Sequence, residues 1–377
     1  MRSSIFLVLG SFFLYSSMTC VHIPLKFPSH TEWNRHLIVN QIKAQSSIQV
    51  EEVSKSHTFA NTAEKESKQE KEDFFQPEKK QANVEQVVIK HQKPAFTRGI
   101  YLTANTAASE KRMESFIRYA KAYNINTFVI DVQPRMIPRK HLEKVLEAGI
   151  FPIARVVVFE SGLKTLYPSK RHIHGILNLI EDSAMQGFQE VQLDYIRYAD
   201  SPRMEKISLR KKYAVICSVL QKAREKANEF GIYLSADVFG RITLNYHDHI
   251  GQRLELFDKY MDAIYPMVYP SHYTNDPKRI SNPYSTVKEG VQNSKERLKR
   301  AKVVAYIQGF DMKRKPTGLS MVSYIEHQMQ AVEDAKGDGW VIWNPRNQYK
   351  PSYQAIYRME RKKLEAKSRA EKPSGES

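Results

Sequence analysis

Residues 190–200 read EVQLDYIRYAD. Val191 and Leu193 suit the interior of a strand. The run then closes on a carboxylate, Asp194, with a phenol (Tyr195) and a guanidinium (Arg197) directly behind it. A buried strand that ends in ionisable groups has a natural place in a parallel barrel, where the C-terminal ends of the strands build the active site. The fold therefore turns on whether this run is one of a series.

Seven more runs resemble it. They are RGIYLTAN (98–105), NTFVIDVQ (126–133), FPIARVVVFE (151–160), IYLSADVFG (232–240), AIYPMVYPSHY (263–273), VVAYIQGF (303–310) and GWVIWN (339–344). All are rich in Val, Ile, Tyr and Phe, as strands are. Near-continuous apolarity marks strands covered on both faces, the habit of a parallel sheet. Between them, 108–124, 172–188, 206–229, 284–300 and 320–336 carry apolar residues at i, i+3, i+4, the helical period. Gly149, Gly187, Gly231 and Gly339 stand just before strands, where a left-handed cap turns the chain back into the sheet. Eight such units over 97–350 match the usual barrel size of about 250 residues. The predicted fold is a (β/α)8 TIM barrel. The competing open, doubly wound sheet has no GxGxxG after its first strand.

The chain of 377 residues is 41% hydrophobic and 26% charged, an ordinary globular balance, but its net charge of +17 is not ordinary. Such an excess favours anionic partners. No nucleic-acid motif and no basic stripe interleaved with aromatics accompanies it, so nucleic acid is not an expected partner. The segment MRSSIFLVLGSFFLYSSMTC (1–20) has one early arginine, an apolar core over 5–15 and then small polar residues, the layout of a secretory signal peptide. A retained membrane tether, or lipidation at Cys20, is the alternative. Either places the protein outside the cytoplasm, secreted or attached to the cell envelope. Residues 21–96 read as a charged, disordered linker: EEVSKSHTFANTAEKESKQEKEDFFQPEKKQ (51–81) buries too little to offset its chain entropy. Residues 351–377 read as a C-terminal helix and basic tail. Cys20 and Cys217 form no disulfide framework or zinc motif. Neither HExxH nor a Gly-rich phosphate loop is present, so no cofactor or metal is expected.

The chemistry gathers at the strand ends. In β-strands alternate side chains share a face. Gln192 and Asp194 fall on one face of their strand, and Ser235 and Asp237 on one face of the next. If the intervening apolar residues meet the helices, both aspartates point into the barrel mouth. Paired carboxylates over a cleft are the tools of glycoside hydrolysis: one protonates the leaving oxygen, the other attacks the anomeric carbon or activates water. Asp131, Arg155, Gln308 and Asn344 end or line other strands as candidate substrate ligands, with His272. Arg197 would help keep one carboxylate ionised if it reached back. Tyr101, Tyr195, Tyr269, Tyr273 and Trp343 suit the apolar faces of sugars. The expected partner is a polysaccharide or other glycan.

At these same residues the chain resembles a known family. LDYIRY (193–198), SADVFG (235–240) and YPMVYPSHY (265–273) are similar to signatures of the glycoside hydrolase-like domain family DUF4015. IARVVVF (153–159), YIQGF (306–310) and GWVIWN (339–344) fit the same family, so the resemblance spans the proposed barrel. It implies a barrel related to α-amylase and α-galactosidase type enzymes, with Asp194 as nucleophile and Asp237 as acid/base. The strand-six alternative for the proton donor offers only Tyr, Ser and His. One departure stands out. Where the family runs into a VKDD-like segment after strand two, this chain has DVQPRMIP (131–138), with Gln133 and Arg135 in place of acids. That keeps a second reading open, a non-catalytic glycan-binding module on a degenerate hydrolase barrel. A binder of anionic polymers through overall charge is a third.

Overall fold

A computed structural model describes residues 92–370. The expected signal peptide, nearly all of the expected linker and residues 371–377 of the tail lie outside the described residues. Eight strands close a parallel barrel in chain order: β1 (Thr97–Leu102), β2 (Thr127–Asp131), β3 (Phe151–Val157), β4 (Glu190–Asp194), β5 (Tyr233–Phe239), β6 (Ala263–Met267), β7 (Lys302–Gln308) and β8 (Gly339–Trp343). β1 pairs with β2 on one side and β8 on the other, which seals the ring. The expected (β/α)8 barrel is the observed fold, and each strand starts and stops within its apolar run or one residue outside it.

Period two sorts the strand residues into two cores. Val129, Ile153, Tyr265, Val304, Tyr306 and Val341 fill the barrel. Their neighbours Ile130, Ala154, Leu193, Ala236, Ala305 and Ile342 pack outward against the helices. The principal helices are α1 (Glu110–Ala122), α2 (Arg139–Glu147), α3 (Lys170–Gln186), α4 (Leu209–Glu229), α5 (Pro283–Arg297), α6 (Met321–Asp334) and α7 (Lys350–Ala370). α3 shows the local logic. The Ser169 hydroxyl accepts from the His172 N–H at 3.2 Å, Ile173, Ile176, Ile180 and Ser183 bury one face, and Gly187 ends the helix at φ 115°.

Two departures from the expected pattern position the site. α2 is not among the helices expected from the apolar period; Pro138 is its N-cap, and the helix begins at the next residue. Between β5 and β6, by contrast, there is no long helix. A short 3₁₀ turn (Gly240–Thr243) and a single helical turn (Leu254–Phe257) take its place. That irregular connection lies over the barrel mouth.

The floor of the barrel is polar. Glu190 is fully buried, accepts from the Tyr265 hydroxyl at 3.1 Å and is ion-paired to Lys93, just ahead of β1. At the β8–β1 seam Gly339 has φ 146°, and a Cβ there would lie 2.3 Å from the Thr97 carbonyl oxygen. Two backbones meet there, so nothing can yield cheaply. Gly339→Ala is expected to cost about 3 kcal/mol or more, read as a lower urea midpoint; an unchanged midpoint would show that the seam tolerates a side chain.

Candidate active site

Arg155 organises the mouth of the barrel. It occupies an inward position of β3, is 7% exposed, and faces three carboxyl groups. Its Nη1 donates to Asp131 Oδ1 at 2.6 Å. Its Nε donates to Asp194 Oδ2 at 3.1 Å, and Nη2 bonds the same oxygen. Asp237 Oδ2 stands 3.9 Å from Nε, beyond hydrogen-bond reach. Burial opposes the guanidinium charge, but Asp194 and Asp131 outweigh it and hold Arg155 firmly protonated.

One guanidinium cannot serve three carboxylates equally, and it does not. Asp194 collects two bonds from Arg155 and a third from the Tyr195 N–H at 2.6 Å. Tyr195 makes that bond from a left-handed backbone, φ 53°, a conformation that costs a bulky residue energy. Asp237 is 1% exposed, and its Oδ1 has no partner. Burial first, then the neighbouring Asp194 charge, pushes its carboxyl well above the ordinary range. Asp131 is also raised, chiefly by burial, although Arg155 opposes this. Asp194 Oδ2 and Asp237 Oδ2 lie 3.1 and 3.9 Å from the same nitrogen, so they are no more than about 7 Å apart.

Above these groups opens a cavity of about 400 Å³. It unites eight of the residues singled out in the sequence, Arg155, Asp194, Tyr195, Asp237, Tyr269, His272 and Trp343 among them. Tyr273, noted for its ring, also lines it. Tyr101 and Asp131 stand just behind. Tyr101 stacks on Trp343 with centroids 3.7 Å apart and hydrogen-bonds Asp131, while Arg155 lies 5.1 Å from the Trp343 ring.

Three expected ligands are placed otherwise. Arg197 does not reach Asp194: its Nη1 donates to the Tyr198 carbonyl at 2.9 Å and its guanidinium packs 4.7 Å from the Phe239 ring. The charge beside Asp194 comes from Arg155 instead. Gln308 is fully buried and braces loops, accepting from Ser271 N–H and Tyr324 O–H and donating to the Phe310 and Met312 carbonyls. Asn344 donates to the carbonyls of Gly309 and Gln348 and accepts from the Arg346 N–H. Neither lines the cavity, because their amides replace missing backbone partners in the loops after β7 and β8.

Phe239, Gly240, Arg241, Met267 and Tyr306 also line the cavity and were not foreseen. Tyr306 was legible: period two in VVAYIQ sets Val304, Tyr306 and Gln308 on one face. Arg241 was not, since it sits in the connection without a long helix. Among the described residues, one trio could hold a metal: Asp200, Glu205 and His249, with ligand atoms within 4.8 Å of one another. All three are exposed, and none lines the cavity.

The closed parallel barrel thus carries two buried aspartates and aromatic walls at its C-terminal rim. Residues 166–349 match the family DUF4015, described as "Putative glycosyl hydrolase domain". The resemblance read from the motifs therefore holds over β4 to β8, whereas IARVVVF and the 131–138 segment fall outside the matched residues. No curated protein matches the chain. Among solved structures, the glycoside hydrolase domain of PgaB (BpsB) from Bordetella bronchiseptica superposes with a TM-score of 0.52 at 11% identity, over 69% of this chain and 98% of that one. An endo-β-1,4-mannanase from Thermotoga petrophila gives 0.53 at 12% identity, over 73% and 78%. The spore cortex-lytic enzyme SleL from Bacillus megaterium gives 0.51 at 10%, over 70% and 73%. At these identities the likeness is one of fold.

Proposed function

We propose that this protein is an exported glycoside hydrolase acting on an envelope or extracellular polysaccharide, with Asp194 as the nucleophile and Asp237 as the general acid. The observation that carries the reading is the unequal sharing of Arg155. Asp194 accepts three hydrogen bonds, two of them from the cation, and so presents a carboxylate to the anomeric carbon. Asp237 is buried, takes no hydrogen bond from Arg155 and is raised, and so brings a proton for the leaving oxygen. A raised carboxyl beside one that is hydrogen-bonded to a cation lets one site perform both jobs. The aromatic rings of Trp343 and Tyr269 supply flat apolar faces for the sugar. Export rests on the leader-like residues 1–20.

Asp237→Asn tests the assignment. Without the acid, turnover of glycans with poor leaving groups should fall by roughly 10²–10⁴-fold, while aryl glycosides with acidic phenol leaving groups lose little. The wild type should lose activity as pH rises through the raised Asp237 pKa, and the variant should lack that limb. The stability sign follows from the same shift. The native state holds the Asp237 proton more tightly than the unfolded chain, so this contribution is intact below about pH 4 and is lost as pH rises through the raised value. Asp237→Asn should therefore flatten the alkaline side of the stability profile. Equal losses on both leaving-group classes would remove Asp237 from the acid role.

The binding-module reading has one specific support. Gln133, standing where the family has acids, accepts from the Val157 N–H at 2.6 Å and donates to the Val157 carbonyl at 3.3 Å, extending the β2–β3 ladder. Arg135 is bonded to Asn105. The altered loop is a structural brace here, and a glycan bound without any product would favour this reading.

A further inference from the structure

Buried polar atoms normally find partners, and one left alone costs roughly 1–3 kcal/mol. Among the groups lining the cavity, three buried atoms have none: Asp237 Oδ1 and the hydroxyls of Tyr269 and Tyr273. The two tyrosines differ in their surroundings. The phenol of Tyr273 is influenced mainly by burial, then by Arg279 and Glu289 on the flanking helices, and it packs against the Gly240 backbone. Tyr269 lines the same cavity as Asp194 and Asp237, and its phenol is raised by burial and then by those two carboxyl groups. Raised in this way, it remains a donor and cannot serve as a base.

The fold spends several contacts on holding that ring. Tyr269 is 4% exposed. His272 and Phe310 meet it edge-on, with centroids at 5.2 and 5.6 Å and interplanar angles of 74° and 78°. The loop that carries it is tied to β7 through the Ser271 N–H and the Gln308 side chain at 3.2 Å. Pro266 and Pro270 bracket the segment. A donor without a partner, fixed beside the reacting carboxyls in a cavity, is preorganised for a ligand that brings the acceptor.

We propose that the Tyr269 hydroxyl is the substrate-orienting donor of this site, bonding an acceptor oxygen of the sugar seated against Asp194. The flat face of the ring is secondary; the phenol end acts. This rests on the glycan reading of the cavity but not on hydrolysis. It also makes a demand on stability that a structural tyrosine would not meet, because removing an unpartnered hydroxyl takes away no internal bond.

The test is Tyr269→Phe in the full-length chain, with three readouts. Thermal midpoint without ligand should be unchanged or higher. Affinity for N-acetylglucosamine and mannose tetrasaccharides, measured by calorimetry in an Asp194→Asn background, should fall about tenfold for whichever binds, the worth of one hydrogen bond of about 1.4 kcal/mol. On any glycan the wild type cleaves, kcat/KM should fall roughly 10–100-fold. A lower midpoint with unchanged affinity would overturn the proposal and leave the hydrolase reading untouched. Weakened binding in a protein that cleaves nothing would sustain the donor role and sink the hydrolase reading.

Discussion

Asp194→Asn is expected to reduce glycan cleavage by about 10³-fold or more while leaving a folded barrel that still binds glycan. The substitution is nearly isosteric. The asparagine oxygen can keep Arg155 or the Tyr195 N–H but not both, since these donors meet different oxygens of Asp194, while Arg155 keeps its 2.6 Å bond to Asp131. What is lost is the negative charge and the nucleophile. The loss of a charge-assisted bond should cost no more than about 3 kcal/mol of stability, within reach of a barrel this size. Turnover and urea unfolding, measured on the same preparation, separate the two effects. A variant that unfolds as readily as it loses activity would mean that Asp194 is a structural anchor.

Arg155→Ala should have the largest effect on stability, about 3–5 kcal/mol at neutral pH. It removes the cation that, among the described residues, pairs with Asp131, Asp194 and Asp237. It also withdraws the guanidinium that packs over Trp343 and Tyr101. Because the penalty is that of unpaired carboxylates, it should shrink as pH falls through the raised values of the buried carboxyls and these become protonated. Arg155→Lys should recover only part, since an ammonium cannot span Asp131 and Asp194 as a planar fork does. A deficit equal at pH 3 and pH 7 would point instead to lost packing.

The strands and their inward phase were readable in the sequence because both are local. Val191, Leu193, Leu234 and Ala236 alternate with Gln192, Asp194, Ser235 and Asp237, and that alone turned both aspartates into the barrel. What stayed hidden were the partners, which depend on geometry between strands. In the sequence Arg197, three residues from Asp194, is the candidate partner of a carboxylate, and Arg155 is a candidate substrate ligand. Arg155 lies in the inward phase of β3, but the left-handed backbone at Tyr195 turns the chain before Arg197 and sends it to the Tyr198 carbonyl. Gln308 shares the inward phase of Tyr306, yet its amide is consumed by the loops around it. The orphaned hydroxyl of Tyr269 could not be seen at all, since a missing hydrogen bond leaves no trace in a sequence.

The most direct test of the hydrolase claim is reducing-end release, followed by mass spectrometry, from a panel of envelope and capsular polysaccharides incubated with the wild-type chain and with Asp194→Asn. The account predicts new reducing ends on at least one glycan with the wild type alone. Binding without product in either protein would contradict it and make this barrel a glycan-binding module.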